Sequence, residues 1–244
     1  KASDGRLYLV IHSGSRRLGR DVATYHKVAA FFAACGIDPK EAAKKKLRPC
    51  EIKPGFSIGD CFLSGMLLSE YLHDMKIAVD YAAESRRNMG ETIISAMGLH
   101  PVSSFTTIHN YIDPENRILR KGAVSAQAGE TLIIPINMKD GALICRGKGN
   151  PEWNFTAPHG SGRVLRRSDA KSVISVDEFR AEMEGVFTTS VNESTVDESP
   201  MAYRRAGEII GAIDPTVEII EKLSSVYNFK ASKPVTDDTA DGDD

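Results

Sequence analysis

Three histidines stand out: His12 in IHSGSRRLG and His159 in NFTAPHGSGRVLRR lie in loops of small and basic residues, and His109 in TTIHNYID ends an apolar stretch. Neutral imidazole is both a nucleophile and a ligand for transition metals, so each loop has a chemical reading and a structural one. At His12, two serines and Gly14 let backbone N–H groups approach an anion, Arg16 and Arg17 add positive charge, and the helix that follows offers its N-terminus to a phosphate. The alternative is a helix cap with surface arginines, and the G-x-x-x-x-G-K-[ST] phosphate loop is absent. His109, next to Asn110 at the end of an apolar stretch, reads as a metal ligand with a neighbour to orient it, or as a structural histidine. At His159, Pro158 stiffens the entry, Gly160 and Gly162 remove bulk beside the ring, and Arg163 offers a planar donor fork to phosphate oxygens. That loop suits attack on phosphorus to give a phosphoramidate, metal ligation, or a polar turn and nothing more. His26 reads as packing within a helix, His73 lies on a polar helix face, and His100 precedes a proline.

The elements that must carry these loops alternate in type. RLYLVI (Arg6–Ile11) is apolar and ends β-branched, which predicts a strand rather than a leader sequence. RDVATYHKVAAFFAAC predicts a helix stopping at Gly36, and KEAAKKKLRP a solvated helical turn ending at Pro49. A helix is expected from Ser64 to about Met89. Leu68, Tyr71, Leu72, Met75, Val79, Ala82 and Arg86 form one stripe, with His73, Lys76, Asp80 and Arg87 opposite. ETIISAM extends it or forms a second helix. SFTTIHNYI, GAVSAQAG, TLIIPINM and ALICRGKGN read as strands and turns. SVDEF is a capping box with Ser175 as N-cap and Glu178 three residues on, and SPMAYRRAGEIIGAI opens as a helix on Ser-Pro. PTVEIIEKL and VYNFK could close a sheet. The expectation is an α+β fold: a mixed β-sheet core with flanking helices, forming a single portion over residues 1–232.

Bulk composition narrows the class. At 244 residues, with 41% hydrophobic and 26% charged, the chain can bury a sizeable core. No apolar run approaches the roughly 18–20 residues of a membrane span. Cys35, Cys50, Cys61 and Cys145 include no C-x-x-C pair, which points to reduced thiols in a cytoplasmic protein. Residues 233–244, KPVTDDTADGDD, hold five aspartates and one lysine and are expected to be disordered. That tail carries −4 of a chain total of −2, which leaves residues 1–232 at about +2, a balance compatible with a nucleic-acid backbone.

Taken together and in order, HSGSRRLG, YLHDMKIAVDYAAESR, IHNYID, RKGAVSAQAGETLIIPINM, GKGN, PHGSGRVLRRSDA and SPMAYRRAGEII resemble the RtcB family of RNA-splicing ligases, over residues 7 to about 230. The resemblance implies an RNA ligase using manganese and GTP. In such enzymes a histidine takes GMP from GTP and passes it to an RNA 3′-phosphate, which arises from a 2′,3′-cyclic phosphate; an RNA 5′-hydroxyl then displaces GMP. By motif position His159 matches the guanylylated residue, and His12 and His109 match metal ligands. Asn110, Pro135, Ile136, Asn137, Met138, Gly160, Ser161 and Gly162 match nucleotide contacts, and Tyr203 and Lys230 match positions near the guanine. Arg16 and Arg163 fit RNA or phosphate contacts. The implied partners are RNA ends, such as tRNA halves or cleaved RNA, with no membrane.

The chain departs from the family pattern in places. The family's upstream aspartate–cysteine and Asn-His-x-x-Glu metal motifs are not in this sequence, which reads as the C-terminal portion of a longer enzyme whose N-terminal portion, or a partner chain, supplies further ligands. Arg17 stands for a usual glycine, Ile136 and Asn137 for a Gly-Ser pair, and Ala142 and Arg166 for serines. Two other readings follow: a non-catalytic nucleotide- or RNA-binding relative that regulates a full-length ligase, and a metal-dependent phosphoesterase using water as nucleophile.

Overall fold

The computed structural model describes residues 1–53 and 56–231. The expected acidic tail over 233–244 lies outside the described residues. The fold is α+β. The expected single portion is built from two compact units, Leu9–Leu119 and Lys1–Tyr8 together with the chain from Arg120 onward.

Leu9–Leu119 is mainly helical. Helix α1 (Arg16–Ala34) is rich in alanine and buries Ala29, Ala30, Phe31 and Phe32. It stops at Gly36 as expected: φ is +72° there, and the N–H groups of Gly36 and Ile37 donate back to the carbonyls of Ala33 and Phe32. Helix α2 (Pro39–Lys44) is capped by the Asp38 carboxylate, which accepts from the N–H of Lys40 and Glu41. Ala42, the short α3 (Pro49–Ile52) and Phe56 close a small apolar cluster on Phe31 and Phe32. Helix α4 (Gly65–Ala96) runs 32 residues, past the expected end at Met89 and through ETIISAM. Gly90 is tolerated inside it, and the chain turns only after Met97, where Gly98 has φ +63°. The expected stripe is found from Tyr71 to Arg86, while Leu68 is exposed; His73, Lys76, Asp80 and Arg87 face water. Strand β1 (His109–Asp113) is shorter than SFTTIHNYI suggested.

The second unit holds the sheets. Strands β2 (Ile118–Ser125), β3 (Thr131–Asn137), β4 (Gly141–Gly147) and β5 (Thr156–Pro158) are followed by helices α5 (Arg167–Val173) and α6 (Val176–Glu182). Then come β6 (Phe187–Thr188), α7 (Ala206–Ile213), β7 (Val217–Leu223) and β8 (Tyr227–Asn228). β5 lies antiparallel to β2, β3–β4–β7 form an antiparallel ladder, and β6 pairs in parallel with β8. Alternate residues Leu132, Ile134 and Ile136 of β3 enter a core with Val124, Cys145 and Ile213. β4 is buried on both faces, because Ala2 and Tyr8 cover Ala142 and Ile144. Helix α6 has the capping box expected at Ser175 and Glu178.

Two sequence expectations need correction. Arg6–Ile11 is not a strand. The chain turns at Gly5 (φ +90°), Ala2 N–H donates to the Arg6 carbonyl, and Leu7 is 74% exposed. A strand is defined by its ladder partner, and apolar composition alone does not provide one. SPMAYRRAGEII is not one helix either. Ser199 caps a 3₁₀ turn, Pro200–Ala202, and α7 begins only at Ala206. Between them Tyr203 is extended, because Arg204 N–H donates to the Gly162 carbonyl and Val164 N–H to the Ala202 carbonyl. The competing hydrogen bonds belong to the His159 loop.

Candidate functional site

Each unit carries some of the residues expected from the sequence. In Leu9–Leu119, His12 is exposed on the coil before α1 and His109 opens β1 half-buried. Their Nε2 atoms stand 3.2 Å apart, with the rings edge-on at 88°. Two nitrogens bound to one cation through bonds of about 2.0–2.1 Å would stand roughly 2.8–3.4 Å apart, for angles between square and tetrahedral. The pair therefore fits one edge of a coordination shell. Among the described residues no group of three or more His, Cys, Asp or Glu could hold a metal ion, and this pair has no third such residue beside it.

Arg86 of α4 braces that pair. Its Nη1 donates to the Ser13 carbonyl at 2.9 Å and its Nη2 to the Thr106 hydroxyl at 3.0 Å, so one guanidinium ties the residue after His12 to the chain leading into His109. Burial pulls the Arg86 pKa below its ordinary value, yet at pH 7 the group keeps its charge. Asn110 takes a left-handed φ of +59°, which asparagine tolerates, and lines a cleft with Tyr71, Met75 and Ile108. Arg16, exposed at the start of α1, is also left-handed.

The second unit carries His159. Strand β5 delivers it, and its N–H donates to the Gly122 carbonyl at 3.3 Å. Gly122 has φ +63°, and a Cβ there would lie 3.5 Å from the imidazole Cε1 and Nδ1, so the ring sits over this glycine. Gly160 passes close to β3: a Cβ would come within 3.2 Å of the Pro135 carbonyl oxygen. Ser161 is buried and fixes the turn twice, its N–H donating to the Pro135 carbonyl at 3.2 Å and its hydroxyl to the Ile136 carbonyl at 2.6 Å. The third attachment runs through Gly162 (φ +70°) and Arg163, which bridges to Tyr203. The loop is thus stitched to β2, β3 and the Tyr203 segment, with His159 half-exposed.

Of the β3 residues expected at the nucleotide, Pro135 and Ile136 meet the loop through their carbonyls. The side chains of Ile136 and Met138 are buried in apolar clusters. The Asn137 amide donates to Asp140 at 2.8 Å and accepts from the N–H of Lys139 and Asp140, capping the turn between β3 and β4.

Beside the loop lies a charge network. Arg163 Nε donates to the Leu165 carbonyl, Nη1 to the Tyr203 hydroxyl at 2.9 Å, and Nη2 to the Asp197 carbonyl. Tyr203 donates to Glu198 at 2.9 Å, and Lys230 Nζ pairs with the same oxygen, Oε2, at 3.2 Å. Arg167 pairs with Asp197 at 3.0 Å and with Glu198 at 3.1 Å. Burial pushes Glu198 up, but Lys230, the Tyr203 hydroxyl and Arg167 outweigh it and hold the carboxyl below its usual range. Burial, and then the adjacent Glu198 charge, push the Tyr203 hydroxyl well above its ordinary pKa, so it remains a donor. The resemblance singled out Tyr203 and Lys230, whereas Asp197, Glu198, Arg167 and Arg86 were not among the expected residues. The available signal was the acidic pair immediately before Ser199-Pro200, and an arginine placed on the apolar stripe of α4.

No helix of the described residues is long and apolar enough to cross a membrane. All four cysteines are free, and burial pushes the Cys145 thiol up to about 11, as suits a core residue.

The family described as tRNA-splicing ligase RtcB matches residues 1–231. The RNA-splicing ligase RtcB of Escherichia coli K12 is 29% identical over 243 residues, covering 92% of this chain and 56% of that protein. The tRNA-splicing ligase RtcB of Aeropyrum pernix is 26% identical, covering 82% of this chain and 47% of its own length. For the RNA-splicing ligase RtcB of Mycobacterium tuberculosis the identity is 26%, with coverage of 86% and 53%. The chain spans about half the length of these curated relatives. With the motifs and the match extending over nearly every described residue, the chain belongs to the RtcB family.

Proposed function

We propose that this chain is the guanylyl-accepting portion of a GTP- and manganese-dependent RNA ligase. The observation that carries the reading is the His159 loop, held at Gly122, Pro135, Ile136 and Tyr203 so that the imidazole is half-exposed beside Gly160–Gly162. In the proposed reaction an imidazole nitrogen of His159 attacks the α-phosphorus of GTP. The α–β phosphoanhydride breaks, pyrophosphate leaves, and the imidazole proton passes to solvent. An RNA 3′-phosphate oxygen then displaces the histidine, and the RNA 5′-hydroxyl attacks that 3′-phosphorus, releasing GMP as the strand is sealed.

His12 and His109 are proposed as two ligands of the manganese, which, when bound, neutralises charge on the α-phosphate and departing pyrophosphate. Asn110, Pro135, Ile136, Asn137, Met138 and Gly160–Gly162 are the proposed nucleotide contacts, Ile136 and Met138 through the main chain because their side chains are buried. Tyr203 and Lys230 are the proposed neighbours of the guanine. Arg16 and Arg163 are the proposed RNA-phosphate contacts, and Arg163 is the more constrained because its guanidinium also braces Tyr203 and Asp197. The ends of cleaved RNA, tRNA halves included, are the proposed substrate, and the family's upstream motifs the source of the remaining metal ligands.

The test is covalent labelling. The chain is incubated with Mn²⁺ and GTP labelled on the α-phosphate, alone and with a fragment carrying the upstream motifs. An acid-labile, alkali-stable label that His159→Ala abolishes supports the proposal, and no label under either condition refutes it. A non-ligating nucleotide- or RNA-binding role is the second reading. Asn137 favours it, because its amide is committed to the β3–β4 turn, and so does Ala142, a buried methyl where the family commonly carries a hydroxyl. That reading expects RNA or GMP binding that survives His159→Ala, with no adduct.

A further inference from the structure

We infer that residues 39–53 form a dock for the phosphate backbone of the RNA body, apart from the ends to be joined; this rests on the RNA reading of the substrate. The stretch holds six cations, Lys40, Lys44, Lys45, Lys46, Arg48 and Lys53, against two glutamates, in a chain whose net charge is −2. Both glutamates are engaged: Glu41 pairs with Lys44 at 2.9 Å, and the Glu51 carboxylate accepts from the Arg48 N–H at 3.3 Å. Glu70 of α4 takes Lys40 at 3.3 Å. Lys45, Lys46 and Arg48 are exposed and have no ion pair among the described residues. Lys53 meets the Phe56 ring, 4.1 Å from its centre, rather than an acid.

The large apolar side chains of this stretch point the other way. Leu47, Ile52 and the neighbouring Phe56 close with Ala42 on Phe31 and Phe32 at the end of α1. That packing mounts the stretch on a helix and leaves its outer face cationic. A membrane-surface site presents apolar side chains beside its charges; here they are turned inward, and phosphate is what the outer face fits. Lys46 stands at φ +53°, the left-handed position after α2 where glycine meets no penalty. A lysine there puts a charge where the backbone alone favours none. Helix α1 has 19 residues and is about 28 Å long. His12 precedes its first turn and the patch packs on its last, so their separation is on the order of ten base pairs of duplex. An RNA end near His12 therefore reaches the patch only where its stem continues that far.

The test is fluorescence anisotropy with two hairpin RNAs of identical free ends, one with a stem of about 20 base pairs and one of about 4, together with thermal unfolding. One variant combines Lys45→Gln, Lys46→Gln and Arg48→Gln. A second combines Arg146→Gln, Lys171→Gln and Arg180→Gln, exposed positions of the other unit, and changes the net charge equally. The first variant is expected to weaken binding of the long stem about tenfold or more near 0.1 M salt, and to flatten the slope of log affinity against log salt by about 2–3. The short stem, the melting temperature and the second variant should stay near wild type. Equal losses on both stems, equal losses in both variants, or no loss on the long stem overturn the inference. So does a patch whose neutralisation abolishes binding to phosphatidylserine vesicles while RNA affinity holds, and so does a wild-type chain that binds neither RNA. Loss confined to the long stem, in a chain whose His159 takes no label from GTP, leaves this inference standing and the ligase reading fallen. A labelled His159 with long-stem binding unchanged in the first variant does the reverse.

Discussion

The Nε2 atoms of His12 and His109 face each other at 3.2 Å, although 97 positions separate the residues in sequence. A neutral pair at this distance shares one proton, whereas a divalent cation needs both lone pairs. Binding should therefore compete with protons and strengthen as pH rises. His12→Ala and His109→Ala are each expected to abolish Mn²⁺ uptake at this edge, seen as the return of the free-ion signal in electron paramagnetic resonance. Arg86→Met, which removes the brace on Ser13 and Thr106, should weaken uptake about tenfold without touching a ligand. Equal Mn²⁺ affinity in the wild type and both alanine variants would remove the pair from any metal role.

Ser161 decides how firmly His159 is presented. Its hydroxyl is the short donor to the buried Ile136 carbonyl, and Ser161→Ala leaves that acceptor without this partner. The expected cost is about 1–3 kcal/mol of stability, measured from the urea midpoint. Gly162→Ala, at φ +70°, adds left-handed strain of about 1–2 kcal/mol. If both variants unfold at the wild-type midpoint, the loop is not anchored in this way.

The parts legible in the sequence were those governed by local chemistry. Gly36 as a helix stop, Ser175–Glu178 as a capping box and the alternating β3 are set by neighbours within a few residues. Arg6–Ile11 failed as a strand because strand formation depends on a remote partner, and Tyr203 left its expected helix because Gly162, 41 positions earlier, competes for the backbone. The same reasoning explains the site. The small-residue loops around His12 and His159, and Asn110 beside His109, were visible directly. Glu198 was not, because its significance lies in collecting Tyr203, Lys230 and Arg167 from separate segments.

The capping box at α6 offers a stability test away from the site. Ser175 accepts from the Glu178 N–H at 3.2 Å, and Glu178 accepts from the Ser175 N–H at 2.9 Å, which holds the Glu178 carboxyl below its usual range. Ser175→Ala should cost about 1 kcal/mol, read from thermal unfolding, with Mn²⁺ uptake unaltered. A variant as stable as the wild type would mean that the packing of Phe179, not the cap, holds the helix.

Asp74 links the two long helices of Leu9–Leu119. Its Oδ2 lies 2.9 Å from Nε2 of the buried His26 on α1, and its Oδ1 lies 3.1 Å from Nδ1 of His73 on its own helix, with Lys40 and Glu70 lining the same cleft. The His26 hydrogen bond, and then that of His73, hold the Asp74 carboxyl below its ordinary value. A carboxylate whose pKa is lower in the folded than in the unfolded chain stabilises the fold above the unfolded value, about 3.9, and loses that stabilisation as pH falls through the folded value. Asp74→Ala should therefore lower the melting temperature at pH 7, by an amount equivalent to about 1–2 kcal/mol for two lost hydrogen bonds, and its deficit against the wild type should shrink below pH 4. The exposed His73 bond contributes little of this, so His73→Ala is expected to reproduce only a small part of the effect. Melting curves from pH 2.5 to 7 decide the matter: a deficit that stays constant across that range assigns the loss to packing rather than to the ionised carboxylate.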